Sequence, residues 1–567
     1  MRNKILDILE KIEIPVYLFA IFVYPFLFIP FGLNYTDSPY HYLTYMGKQP
    51  AGIMVSLYAE LGRAWVLFAG NSMMSFRLFY VLLFVFVHAL PAMFVLGFQK
   101  PVKIKLRLIA FSVVLATAWL HYGLGWDEFS LLFLSLIFIL SYYYQKEYSL
   151  VYIPFIGLFS ALAVATRLPN IVLVVPVLFL VLSNAFLFQK DQKAGKAGMH
   201  VLIYLGSFAL FYYVVSIFAG SSGSPSISLS GSANESSSLS TSTIDRLILA
   251  ESSYTFRNLL MRYLLHSFQI IEMVGVLTLI TVIWIYRNSL LIKTWVVNAA
   301  LMTGLALYFV LFVLLSPYNY NLSFFSSALM LFLLGYLLHE ALKKNDIKGV
   351  VFYLFILMLG FVSAAGSNTG LLKVAFTYSF MLPIVLFYVT KQLSSENKKG
   401  FYYLLIFILF FAFVHRTIIG KTYEDGRIWQ LTSTVEHPKL RGIRTTELRK
   451  TQIEDIIFVV DSIGNNEPDA DFLFYGSKSH LFHYLNESER PYAHPFWMRF
   501  DNKQQALRFG QHLESVEQKP YVFLIFGYPE EKAENDGMLI EKQLHHHNYR
   551  FHREGINYHL FVPNTGN

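Results

Sequence analysis

Long apolar stretches recur along most of this sequence, and they restrict the fold more than any other feature. A helix needs about 20 mostly apolar residues to cross a bilayer, and about thirteen segments meet that criterion. They begin near residues 14, 73, 105, 127, 148, 168, 200, 266, 295, 321, 349, 371 and 400. Only 14% of the 567 residues are charged, against roughly 25% in soluble domains. The sequence therefore predicts a polytopic α-helical membrane protein.

The basic residues predict the orientation of these spans. If the N-terminus is cytoplasmic, alternate loops carry clusters such as 100–107, 190–196 and 343–348, whereas the opposite loops are poorer in lysine and arginine. This asymmetry follows the positive-inside rule, and an odd number of spans places the C-terminal region outside. The net charge of +8 is then explained by orientation and by contact with anionic membrane lipids, not by nucleic-acid binding. We expect a bacterial inner (plasma) membrane protein with a periplasmic C-terminal domain.

The composition changes near residue 418 and predicts two domains. Residues 1–417 form the multi-span domain, with a first outer loop at 34–72 and a Ser-rich outer loop at 220–258. The Ser-rich loop has too little apolar content to pack, and it could be either a functional lid or a tolerated insertion. Residues 418–567 have the composition of a soluble domain.

Short apolar runs in residues 418–567 predict the architecture of this second domain. DIIFVVDS, DFLFYGS and YVFLIFGY are typical of buried strands, and amphipathic segments such as NKQQALRFGQHLESV are typical of helices. The final NYRFHREGINYHLFVP is typical of an edge hairpin. Together they predict a small extracytoplasmic α/β domain.

The first outer loop contains the main candidate for chemistry. Asp37 lies in the aromatic segment TDSPYHY, at the mouth of the first span. A carboxylate in such a setting is a candidate general base, although Thr-Asp-Ser-Pro is also a good turn sequence. His41 lies one helical turn further on, so both side chains could face one site. The alternative is an ordinary interfacial histidine.

Further polar candidates lie at the predicted outer ends of spans. Asp127 and Glu128, in GWDE, could bind a divalent cation or orient an acceptor, or they could simply favour the start of a helix. Arg77, Arg167 and Lys373 could bind a phosphate, or they could anchor their spans at the interface. The chain contains no cysteine, which excludes disulfides, thiolate metal sites and a cysteine nucleophile.

These motifs resemble those of the GT-C superfamily of membrane glycosyltransferases, in the branch of aminoarabinose-to-lipid A transferases and protein O-mannosyltransferases. The resemblance depends on TDSPYHY with the Arg-containing NSMMSFRLFYVLL, on GWDEFSLLFLSL, on ATRLPNIVLVVPVL, and on about thirteen spans followed by an outer α/β domain. It implies an inverting transfer of a sugar from a polyprenyl-phosphate donor to a hydroxyl of a glycan, lipid or protein acceptor at the outer face.

By this resemblance, Asp37 would be the catalytic base, with Tyr40 and His41 binding substrate beside it. Arg77, Arg167 and Lys373 would hold the departing lipid phosphate, and Asp127 or Glu128 would line the acceptor side. Many members carry two adjacent acids in the first loop, whereas Ser38 follows Asp37 here. We therefore expect no required cofactor and no defined metal site, with a divalent cation still compatible with the acidic residues.

Two other functions fit the composition. One is a transporter or flippase for a lipid-linked saccharide, which would need ionisable groups and broken helices at mid-bilayer. The other is a non-catalytic scaffold whose outer domain recruits envelope enzymes.

Overall fold

A bundle of long apolar helices forms the N-terminal three quarters of the chain. The computed structural model describes residues 2–48, 57–97, 102–118, 123–188, 193–220, 256–286, 293–314, 320–367, 369–422, 425–476, 478–487, 503–516, 518–526 and 538–564. Nine helices in these ranges are long and apolar enough to cross a membrane, so the chain is an integral membrane protein. The Ser-rich part of the predicted loop at 220–258 lies outside the described residues.

A helix occupies every predicted span position. The helices are α1 (Arg2–Phe22), α2 (Asp37–Tyr45), α3 (Leu57–Ala69), α4 (Met73–Leu96), α5 (Val102–Thr117), α6 (Trp126–Glu147), α7 (Tyr152–Thr166), α8 (Val174–Phe188), α9 (Lys193–Gly220), α10 (Phe256–Tyr286), α11 (Thr294–Tyr308), α12 (Tyr320–Lys343), α13 (Ile347–Gly360), α14 (Val374–Gln392) and α15 (Ser395–Val414). Short 3₁₀ turns at Leu168–Leu173 and Gly370–Lys373 lead into α8 and α14. Some predicted spans, including those on α5 and α7, fall on helices shorter than the nine.

Local capping fixes where several of these helices begin. The side chain of Ser72 accepts a hydrogen bond from Ser75 N (3.2 Å) at the start of α4. Asp346 accepts one from Gly349 N (3.0 Å) at the start of α13. Such caps satisfy N–H groups that have no partner within the helix, which is why these apolar runs begin where they do.

The burial of the helices separates the centre of the bundle from its periphery. In an apolar 18-residue stretch of Gly370–Gln392, 83% of the residues are buried, whereas in such a stretch of Ala197–Phe218 only 6% are buried. A helix that is apolar all round and scarcely buried by protein faces lipid. α14 is therefore a central helix and α9 a peripheral one.

The C-terminal region forms a small unit built around a four-stranded sheet. Its strands run in the order β3 (Phe472–Tyr475), β4 (Tyr521–Ile525), β6 (Tyr558–Pro563) and β5 (Tyr549–Gly555). β3 and β4 are parallel, and β4, β6 and β5 are antiparallel neighbours. The helices are α16 (Glu447–Asn466), α17 (Ser479–Leu485), α18 (Lys503–Ser515) and α19 (Met538–His546), and β1 (Ser433–Thr434) pairs with β2 (Arg444–Thr445). The predicted final hairpin is confirmed, with β5 at the sheet edge.

Both faces of this sheet are buried at β3 and β4, whereas the edge strand β5 is mostly exposed. Along β3, Phe472 and Phe474 belong to the large core that continues into the helical bundle, whereas Leu473 and Tyr475 belong to a second core with α18 and α19. Successive side chains of a strand point to opposite faces. The sheet therefore packs against the large core on one face and against α18 and α19 on the other.

The prediction of a strand at DIIFVVDS was wrong, because this run lies within α16. The buried residues Ile453, Ile456 and Val459 recur every three residues along it, which is a helical spacing. Only one face of this helix packs against the core. Its short apolar run nevertheless has the same composition as a buried strand.

The C-terminal unit is joined to the chain that follows α1. Gly32 N donates to Arg444 O (2.8 Å) and Arg444 N donates to Pro30 O (2.6 Å). Asp425 accepts from Leu33 N (3.0 Å) and from the Thr445 hydroxyl (2.5 Å). Gly32 has φ +84°, and a Cβ there would lie 2.5 Å from Thr422 Oγ1. These bonds fix the segment that leads into α2.

Candidate functional site

Asp37 is presented at the surface by a segment that is otherwise buried. Across residues 32–45, all of which the structure describes, every side chain except that of Asp37 is buried. Asn34 Oδ1 accepts hydrogen bonds from Thr36 N (3.1 Å) and Ser38 N (3.3 Å), and this turn starts α2 at Asp37. A carboxylate in the first turn of a helix is favoured by the helix dipole. The Asp37 carboxylate is thus exposed on a fixed backbone.

Tyr40 and His41 follow Asp37 by three and four residues in α2, and both are buried. The His41 ring meets the Trp126 ring edge-on, with centroids 4.6 Å apart. A Cβ at Gly125 would lie only 2.8 Å from His41 Nε2, so the absence of a side chain there lets α2 approach the start of α6. Burial lowers the pKa of His41 to about 3, against the opposing effect of the Asp127 carboxylate. His41 is therefore neutral near pH 7.

Asp127 lies between two cations from distant parts of the bundle. Lys373, just before α14, donates a hydrogen bond to Asp127 Oδ2, and Arg167 Nε lies 3.6 Å from Asp127 Oδ1. The Arg167 guanidinium also donates to Ser363 O (3.1 Å) and Ala365 O (2.9 Å). These three charged residues line a small cavity. The structure thus brings together Asp127, Arg167 and Lys373, which we call the acid–base cluster, with His41 close to it.

Glu128 has a different role from its neighbour. Its Oε2 accepts a hydrogen bond from Gly125 N (2.7 Å), at the start of α6. This contact caps the helix that carries Asp127. In this structure Glu128 thus fixes the first turn of α6.

Arg77 lies away from the acid–base cluster. It is buried in the first turns of α4, and its guanidinium donates to the backbone carbonyls of Ile29 (2.8 Å), Phe31 (3.4 Å) and Gly32. Here the planar fork of arginine binds backbone oxygens. Arg77 therefore ties α4 to the chain that follows α1.

The C-terminal unit packs against α2 at Tyr40. The His480 ring, in α17, meets the Tyr40 ring edge-on with centroids 5.6 Å apart, and Leu481 N donates to Tyr35 O (3.1 Å). Sequence reasoning missed His480 entirely, because SHLFHYL has no catalytic motif and its position depends on the packing of two distant segments. The only signal was its composition, with two histidines and a tyrosine in a short buried helix.

The predicted metal independence is not decided by this geometry. Within the described part of the chain, no group of three or more His, Asp or Glu side chains could hold a metal ion. The acid–base cluster has one carboxylate that is already paired with two cations. Metal dependence therefore stays a prediction.

These features define the class as a helical integral membrane protein with a small C-terminal α/β unit beside its first loop. No protein-family model and no curated protein matches the sequence. The chemistry must therefore be inferred from the residues themselves.

Proposed function

We propose that the protein is a GT-C-type glycosyltransferase. It moves a sugar from a polyprenyl-phosphate donor to an acceptor hydroxyl at the outer face of the membrane, with inversion, and Asp37 is the general base. The observation that carries the proposal is the exposure of Asp37 alone within the buried run 32–45. The proposal includes about thirteen spans and an extracytoplasmic C-terminal unit.

A general base must reach the proton that it removes, and it works best when its orientation is fixed in advance. Two features of Asp37 support this role: the residue is exposed, and its backbone is held by the Asn34 turn and by the buried residues of α2. Tyr40 and His41 supply rigid walls, and the low pKa of His41 keeps a second positive charge away from the acid–base cluster.

The acid–base cluster supports phosphate binding through Lys373. Arg167 and Lys373 share one carboxylate, so the three groups together leave one positive charge. The Lys373 ammonium is on a flexible stem and can exchange Asp127 for the phosphate oxygen whose charge grows as the lipid departs. Arg77 and Arg167 contribute by holding the backbone around the site, since their donors point at carbonyl oxygens.

The test is transfer by purified protein in nanodiscs. Radiolabelled polyprenyl-phosphate sugars are offered together with membrane extract from a deletion strain, which supplies acceptors. We expect Asp37→Asn to abolish transfer while the apparent melting temperature stays unchanged. Asp346→Asn is the matched control, because Asp346 also lies at a helix start and Asn caps a helix as well as Asp does.

Each outcome discriminates between functions. Full transfer by Asp37→Asn would remove the proposed base and with it the proposal. Movement of the lipid across a vesicle without transfer would support the flippase, and neither transfer nor movement would support the scaffold.

A further inference from the structure

The helix α17 contacts the face of α2 that carries Asp37. Residues three apart in a helix are neighbours on its surface, so Tyr40 lies beside Asp37. His480 meets this Tyr40 ring at an interplanar angle of 84°. His480, in the C-terminal unit, therefore contacts a residue that neighbours the proposed base Asp37.

Several contacts hold α17 in this place. The Tyr42 and Tyr484 rings meet with centroids 5.5 Å apart, and the Tyr484 hydroxyl donates to Asn71 O. Next to α17, Lys439 and Glu487 form an ion pair (3.0 Å). α17 is thus fixed against the first loop through Tyr484, near its C-terminal end, and the ion pair fixes this end within the C-terminal unit.

The second histidine of α17 has different surroundings. His483 Nε2 bonds to Phe474 O (2.8 Å), and its ring packs on the Phe474 ring of β3. It faces the sheet, whereas His480 faces α2. Both are buried and lie in the same short helix, so each is a control for the other.

We propose that His480 is a positioning residue of the active site: through Tyr40 it fixes the first turn of α2 and thereby the orientation of Asp37. The C-terminal unit is then a permanent wall of the site and completes it. The catalytic role of His480 rests on the proposed function, but its effect on the order of α2 can be measured without any substrate.

The first experiment measures the order of α2 by hydrogen–deuterium exchange. We expect His480→Ala to increase the exchange of peptides covering residues 35–46, whereas His483→Ala leaves them close to wild type. Equal exchange in the two variants would overturn the inference. This readout stays valid even if the protein is not a glycosyltransferase.

The second experiment measures transfer kinetics. We expect His480→Ala to lower kcat about ten-fold at nearly unchanged KM, because small misplacements of a base are expensive. His480→Phe keeps an edge-on ring and should recover most of the rate, which separates positioning from proton transfer by the imidazole. Wild-type kcat in His480→Ala would overturn the inference, as would equal losses in His480→Ala and His483→Ala.

Asp37→Asn is measured in parallel to separate the two proposals. Transfer by Asp37→Asn defeats the proposed function, whatever His480 does. An inactive Asp37→Asn with a fully active His480→Ala defeats only the role of His480.

Discussion

Lys373 donates a hydrogen bond to Asp127 and so joins the start of α14 to the start of α6. The pair is only partly accessible, with 17% and 23% of the two side chains exposed. Arg167 approaches the same carboxylate from the turn after α7. Three helices thus meet at one point, where two cations share a single carboxylate.

This arrangement predicts unequal effects of removing its members. Asp127→Asn leaves two neighbouring cations without their anion, and we expect it to lower the free energy of unfolding by about 3 kcal/mol. Lys373→Met leaves Asp127 paired with Arg167 and should cost less. Thermal unfolding followed by tryptophan fluorescence measures both. Lys344→Met is the control, because it removes a partner from an exposed pair and should cost at most about 1 kcal/mol. A larger loss of stability from Lys373→Met than from Asp127→Asn would contradict the prediction.

Arg77→Lys tests whether the contacts of Arg77 with backbone carbonyls matter more than a contact with substrate. A lysine cannot reproduce the planar fork, and we expect a loss of stability of about 2 kcal/mol with little change in KM for the donor. Arg63→Gln, in an exposed pair with Glu60, is the control and should be nearly neutral. If Arg77→Lys keeps its melting temperature but raises KM, then Arg77 binds the phosphate directly.

The buried histidines predict acid lability. Burial lowers the pKa of His41 and of His483 to about 3 each, whereas an unfolded histidine titrates near 6.5. Between these values the unfolded state binds more protons, so stability is full above about pH 7 and falls as the pH drops from about 6.5 towards 3, by up to about 1.4 kcal/mol per pH unit for each histidine.

Melting temperatures between pH 8 and pH 5 measure this effect. His483→Gln should reduce the slope below pH 6.5, and His546→Gln, which changes an exposed histidine, should leave it unchanged. An unchanged slope in His483→Gln would show that other groups cause the acid sensitivity.

Gly125→Ala tests the close approach of α2 to α6. The new Cβ would lie 2.8 Å from His41 Nε2, so α2 must shift, and we expect transfer to fall about ten-fold with a stability loss of about 1 kcal/mol. Gly206→Ala is the control, since a Cβ there has no heavy atom within 4 Å. Wild-type transfer by Gly125→Ala would mean that the close approach of His41 to Gly125 does not matter for transfer.

The positions of the apolar helices and most of the small sheet could be predicted from sequence, because both are encoded by local pattern. A helix in lipid must be apolar along its length, and buried strands such as β3 and β4 are short apolar runs between turns. The prediction of a strand at DIIFVVDS was wrong because a short apolar run can belong either to a half-buried helix or to a buried strand.

The site was only partly predictable, for a different reason. Asp37, His41 and Asp127 could be picked out because acidic and imidazole groups are rare beside apolar spans. The partners of Arg77 and Arg167 could not, since a cation at a span end binds carbonyls or ligands according to packing alone. His480 lies most of the chain away from Tyr40, and no local pattern joins them.

The bonds between residues 30–33 and the C-terminal unit also set an order of events during synthesis. Leu33 and Asp425 are 392 residues apart, so the segment before Asp37 is inserted long before its partner leaves the ribosome. Until then these bonds cannot form. The enzyme that we propose would therefore complete the contacts of its first loop only after the C-terminal unit has been synthesised.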